Sequence, residues 1–169
     1  MTCTVSQIVS WFHDFPNHEK ENNFVAFHSK KRKGKALLLA TIDFNASSMK
    51  KNIGVKTENK MIDLYERITG RAVIHRNEKT YSIEINNMKI FGKVDGIVDK
   101  DGIIIEHKRR INGFLNRVPY HERVQCFFYM KMTGLNTSHL VESFGEQIKI
   151  HEINFDEEIW QDIEMRCFN

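Results

Sequence analysis

The chain is poor in cysteine, poorer in proline and free of long apolar runs, and each shortage excludes something. Cys3, Cys126 and Cys167 are scattered through 169 residues with no CxxC spacing, so neither a zinc site nor a disulfide framework is expected. That usage suits a reducing compartment. Two prolines and 28% charged residues argue against a long disordered tract. No apolar run approaches the length of a membrane span. The opening "MTCTVSQIVSWFHDF" has no basic segment followed by an apolar core, so no secretory signal is expected. The reading is an intracellular protein with no membrane partner. There is no internal repeat.

What is present suits one domain. The apolar share of 41% supports a real core. The net charge is only +3 but unevenly placed. "SKKRKGK", with Lys30, Lys31, Arg32 and Lys33, and the lysines Lys50, Lys51, Lys56 and Lys60 make the first third locally basic, compatible with a polyanionic partner.

Apolar spacing predicts a helix over residues 4–14 and another over 57–70, with Thr57 as cap and Gly70 at the C-terminal glycine position. "KTYSIEI" and "KIFGKVDGIV" read as strands joined by Asn86-Asn87. "KDG" turns the chain into "IIIEHKRR". A helix over 121–134 ends at Gly134. "HLVESF" and "QIKIHEINF" form a further strand pair, and Asp156 caps a last helix. "ALLLATIDF" stays open between helix and strand. The order predicts an α/β (α+β) fold, a sheet with helices packed on it.

Within it, "GKVDGIVDKDGIIIEHK" sets Asp95, Glu106 and Lys108 among Ile and Val. A turn at Lys100-Asp101 puts Asp95 opposite Glu106; a turn at Asp101-Gly102 puts it opposite Lys108. In both registers all three side chains share one face, because strand side chains alternate. The opposite face receives Val94, Val98, Ile103 and Ile105. Two facing carboxylates repel unless a cation joins them. Oxygen ligands of this kind suit Mg²⁺ or Mn²⁺, and a lysine alongside can orient or deprotonate water. Together these make a minimal set for phosphodiester hydrolysis. The plainer alternative is an exposed hairpin face with weak ion pairs.

Two helices bear on that choice. Glu58 shares a helix face with Ile62 and Tyr65, and so lies at the start of the core stripe; a first-turn glutamate favoured by the helix dipole is the alternative. Gln125 shares a face with Phe128, Tyr129 and Met132 and needs hydrogen-bond partners there.

The ordered set "TENKMIDLYERITG", "VDG", "EHK" and "RVQCFFYMKMTG" resembles the PD-(D/E)xK nuclease superfamily, closest to its phage lambda exonuclease, or YqaJ-like viral recombinase, branch. The resemblance covers residues 54–169 and leaves 1–53 as a helical and basic N-terminal part of a single nuclease domain. It implies a restriction-endonuclease-like core, a central mixed β-sheet flanked by helices, and a Mg²⁺-dependent deoxyribonuclease, of a kind that often digests duplex DNA from a 5′ end. Such enzymes work in viral or phage recombination with a single-strand annealing protein, and some form homo-oligomeric rings. A viral member would act in the cytoplasm or host nucleus.

Carried over, Asp95 and Glu106 hold the metal with the Ile105 or His107 backbone beside them. Lys108 serves the water, Glu58 assists the metal site, and Gln125 positions Lys108 or the scissile phosphate. Apart from the resemblance, Arg109 and Arg110 continue from the active strand and Arg117 and Arg123 lie near the start of the Gln125 helix, so they read as phosphate contacts, with surface charge as the alternative; Lys30, Lys31, Arg32 and Lys33 read as a phosphate-contacting loop, a nuclear-localisation-like signal or a solvated loop. Val94 replaces the motif's proline. The N-terminal third lacks the arginine-and-serine pattern the lambda branch uses near a 5′ phosphate. The four cysteines of an iron–sulfur relative are missing.

Overall fold

A computed structural model describes residues 2–14 and 58–168. The basic tract with Lys30, Lys31, Arg32 and Lys33, the "ALLLATIDF" segment and the Thr57 cap lie outside the described residues.

Strand β1 (Thr2–Thr4) leads directly into helix α1 (Val5–Asp14). Thr4 and Gln7 form a reciprocal cap: the Thr4 N–H donates to Gln7 Oε1 at 2.8 Å and the Gln7 N–H to Thr4 Oγ1 at 3.4 Å. Helix α2 spans 58–69 and stops at Gly70, whose φ of 69° needs no Cβ to be relieved. Strands β2 (Val73–Ile74), β3 (Thr80–Ile85), β4 (Met88–Lys93), β5 (Gly96–Val98) and β6 (Ile103–Arg109) follow. Asn86 and Asn87, at φ 47° and 60°, make the β3–β4 turn as expected. Helix α3 (Tyr120–Thr133) ends on left-handed Gly134. Strands β7 (Thr137–Phe144) and β8 (Gln147–Asn154) lead to α4 (Glu157–Phe168), capped by Asp156 Oδ1, which accepts from the N–H groups of Glu158 and Ile159.

The strands form two sheets rather than one central sheet: β1-β4-β3, and β2-β5-β6-β7-β8. Each mixes orientations, with β1 parallel to β4 and β6 parallel to β7. The stretch expected as one strand, "KIFGKVDGIV", is divided. The chain leaves the first sheet at Lys93, bends at Asp95 and joins the second at Gly96. Gly96 lets β5 approach β2, since a Cβ there would stand 2.4 Å from Val73 Cγ1. Gly96→Ala should therefore lower stability by about 1–3 kcal/mol through overpacking. A thermal melt would show a drop of about 2–4 °C per kcal/mol; an unchanged midpoint would show that this approach is slack.

The bend also breaks the alternation. Val98, Ile103 and Ile105 face α2, packing with Ile62, Tyr65 and Val141. Val94 does not join them, as parity through an unbroken strand would require. It stays with Ile90 and Ile104 in the larger core under α1, α3 and α4. Phe127, Phe128 and Trp160 are core there, as expected, at 0%, 0% and 2% exposure.

Candidate active site

The β5–β6 ladder pairs Gly96 with Ile105, Ile97 with Ile104 and Val98 with Ile103. That is the register with Asp95 abreast of Glu106. The ladder stops one residue short of Asp95, which instead turns its carboxylate onto the β6 backbone. Its Oδ2 accepts the His107 N–H at 2.7 Å. The His107 backbone thus holds the acid by its amide.

On the same face of β6, Glu106 and Lys108 meet Gln125 from α3. Lys108 Nζ donates to Glu106 Oε1 at 2.8 Å and to Gln125 Oε1 at 2.7 Å. Gln125 Nε2 donates to Glu106 Oε1 at 2.8 Å and to the Tyr129 hydroxyl at 3.0 Å. Both ends of the amide are used, so the glutamine on an apolar stripe finds its partners in the site itself. The plainer reading of an exposed hairpin face is excluded, because Glu106 is 4% exposed.

Glu58 enters from the start of α2. Its carboxylate accepts from Asn77 Nδ2, and the Asn77 N–H donates to the Asp95 carbonyl at 3.2 Å. Asn77, at φ 52°, thereby links the two acids. Sequence reasoning gave no role to Asn77 or Lys93 and placed Tyr129 only on the stripe that carries Gln125; the one local signal in "HRNEK" is an asparagine, a residue that tolerates left-handed φ.

The electrostatics describe an acid cluster short of positive charge. Burial, then Glu106 and Glu58, push the Asp95 carboxyl well above the usual range, against the His107 N–H and Lys108. Burial also raises Glu106, with Lys108 opposing it. Glu58 is raised by burial against Asn77, Lys93 and Lys108. Burial would lower Lys108, but Glu106, Glu122 and Asp95 outweigh it and keep the ammonium charged. Glu106 Oε2 is buried without a hydrogen-bond partner.

Asp95 and Glu106, with the orphaned Glu106 Oε2, offer the hard oxygen donors that a divalent cation takes. Among the described residues no three His, Cys, Asp or Glu side chains form a preformed cage.

The expected phosphate-binding arginines divide. Arg109 and Arg117 are exposed and Arg123 is half-buried. Arg110 is a correction. Its guanidinium is committed to Glu122, at 2.7 and 2.6 Å, and to Glu142 Oε1, at 2.9 and 2.6 Å. Two buried carboxylates use the donors that a phosphate would need.

Beside Tyr129 lies a cavity of about 280 Å³ lined by Thr4, Ser6, Thr80 and Lys93, among others. Lys93 is near enough to Glu58 to lower its pKa.

No protein-family profile and no curated protein sequence matches the chain. Solved structures do. The alkaline exonuclease LHK-Exo from Laribacter hongkongensis matches with a TM-score of 0.61 and 14% identity, over 98% of this chain and 83% of that one. The same enzyme in complex with dAMP matches at TM-score 0.62 and 17% identity, over 96% and 82%. A phage-related exonuclease from Haemophilus somnus 129PT matches at TM-score 0.51 and 16% identity, over 96% and 75%. The chain therefore shares its fold with these solved structures.

Proposed function

We propose that this protein is a divalent-metal-dependent deoxyribonuclease that digests linear duplex DNA from a 5′ end. One observation carries the proposal: a buried Glu106, a charged lysine and a glutamine closed into one hydrogen-bonded cluster, with Asp95 held beside it by the His107 N–H, on the fold of solved exonucleases.

Asp95 and Glu106 would hold Mg²⁺ or Mn²⁺, with Glu58 adding negative charge behind them. The bound cation would supply Lewis acidity and charge neutralisation at the scissile phosphate. The chain's own groups do the rest. The His107 N–H fixes Asp95. Gln125 holds Glu106 and Lys108 in one geometry. Lys108, kept as an ammonium, acts as a donor: it orients the attacking water and stabilises charge that develops on phosphate oxygens. Hydrolysis adds that water across a P–O bond of the backbone.

In this reading the cavity beside Tyr129, lined by Val5 and Phe91 as well as by polar groups, would receive a DNA end. Three hydroxyl side chains and Lys93 offer donors to a terminal phosphate without reading a base. Arg109, Arg117 and Arg123, and the lysine-rich tract from Lys30 to Lys33, add sequence-independent backbone contacts. A role in viral or phage recombination, alongside a single-strand annealing protein and as a homo-oligomer in the cytoplasm or host nucleus, goes with this reading.

Purified protein with Mg²⁺ or Mn²⁺ should degrade 5′-labelled linear duplex DNA and leave a closed circle intact. Nicking of the circle at a comparable rate would replace the exonuclease reading with an endonuclease one. Faster loss of RNA than DNA would move the substrate class.

A further inference from the structure

Two residues beyond Lys108, β6 runs on into Arg110, whose backbone N–H donates to the Ser143 carbonyl at 2.7 Å. The Arg110 side chain is 14% exposed, and its partners Glu122 and Glu142 are 8% and 0% exposed. Glu122 lies in the first turn of α3, three residues before Gln125, so the two share a helix face. Strand and helix are therefore joined by two successive rungs, Lys108 to Gln125 and Arg110 to Glu122. The cap of α3 does not fix its first turn by any side chain, because Pro119 has none to offer. Glu142 ties the same arginine to β7, and its other oxygen accepts the Leu115 N–H at 3.0 Å.

We infer that Arg110 is a positioning residue: by holding Glu122 it sets the register of α3 on β6, and so delivers Gln125 to Lys108 and Glu106. It also keeps Glu122 occupied. The charge of Glu122 reaches both Lys108 and Glu106. Released, that carboxylate would compete with Gln125 and Glu106 for the ammonium. A bidentate guanidinium serves both ends of this latch, and a lysine, with one point charge, cannot.

The inference rests on the nuclease reading for its kinetics, so two readouts are needed. Arg110→Lys and Glu122→Gln should each lower kcat for linear duplex DNA by about 10- to 100-fold with KM within about twofold, since small misplacement of a catalytic group is costly. The double variant should be no worse than the worse single. Separately, mass-mapped reductive methylation should modify Lys108 about fivefold faster in either variant than in wild type, with other lysines unchanged. That second readout needs no activity, so an inactive wild type would sink the nuclease reading while still testing the latch. A raised KM with a silent Glu122→Gln would mean that Arg110 holds substrate phosphate. A lowered Tm with unchanged kcat per folded molecule, or unchanged Lys108 labelling, would also overturn the inference.

Discussion

Lys108→Ala and Glu106→Gln should each reduce DNA cleavage by about 10²- to 10⁴-fold, the range expected for losing a positioned proton-handling or charge-stabilising group. Neither change should unfold the protein. Lys108 is part-buried, with its ammonium held at the site by Glu106 and Gln125. Gln in place of Glu106 keeps the side-chain volume and an acceptor for the Gln125 amide. Asp95→Asn should be equally inactive but of a different kind. In the metal-free protein Asp95 is destabilised by its burial and by Glu106 and Glu58. Removing its charge relieves that repulsion, so the metal-free melting temperature should hold or rise. The increase in melting temperature that Mn²⁺ gives wild type should vanish, because ligand stabilisation follows binding to the folded state alone. A variant that still gains stability from Mn²⁺, or any of the three retaining wild-type rates, would remove these residues from the centre of the chemistry.

Arg110→Met should destabilise the fold by about 3–5 kcal/mol, because it strands a buried carboxylate. Glu142 is 0% exposed and would keep only the Leu115 N–H and a His151 nitrogen 3.5 Å away. At about 2–4 °C per kcal/mol, the midpoint should fall by on the order of 10 °C. Replacing all three members, as Arg110→Met, Glu122→Leu and Glu142→Leu, should restore most of that loss, since no charge is then left alone.

The pH dependence has a definite sign. Burial raises the Glu142 carboxyl, but the Arg110 bonds and the Leu115 N–H outweigh it, so the folded value lies below the ordinary one. A depressed carboxyl contributes its full stability above about pH 4.3 and loses it as pH falls through the folded value. In Arg110→Met the same carboxyl, buried and unpaired, shifts the other way. In chemical denaturation the stability gap between wild type and variant should therefore begin to narrow above about pH 4.3, as the raised carboxyl of the variant protonates, and go on narrowing as pH falls through the wild-type folded value. A constant gap would show that Glu142 is not the group left exposed to the change.

Much of the site was legible because period-2 alternation is strict over short distances. Glu106 and Lys108 share a face because they stand two apart in the unbroken strand β6, whereas Asp95 lies beyond the end of the β5–β6 ladder and is held by the His107 N–H instead. Gln125 was legible because a glutamine on a helix's apolar stripe must find a partner. The helix ends at Gly70 and Gly134 followed from left-handed φ.

The strand break at Val94–Asp95 was not legible. An apolar run has no period by which to announce that it changes sheets, and Val94 fits either core. Arg110 misled for a related reason. In sequence it is one more cation after "EHK". Only the folding of β7 and α3 around it brings in Glu122, 12 positions away, and Glu142, 32 positions away. Asn77 depends in the same way on α2 and the Asp95 bend meeting in space.

The most direct test is the rate at which the purified protein degrades linear duplex DNA with Mg²⁺ or Mn²⁺, with EDTA, and with Lys108→Ala in place of wild type. The account predicts cation-dependent loss of the duplex, abolished by EDTA and by Lys108→Ala alike. Undiminished cleavage in EDTA, or an intact duplex with wild type under every cation, would contradict it.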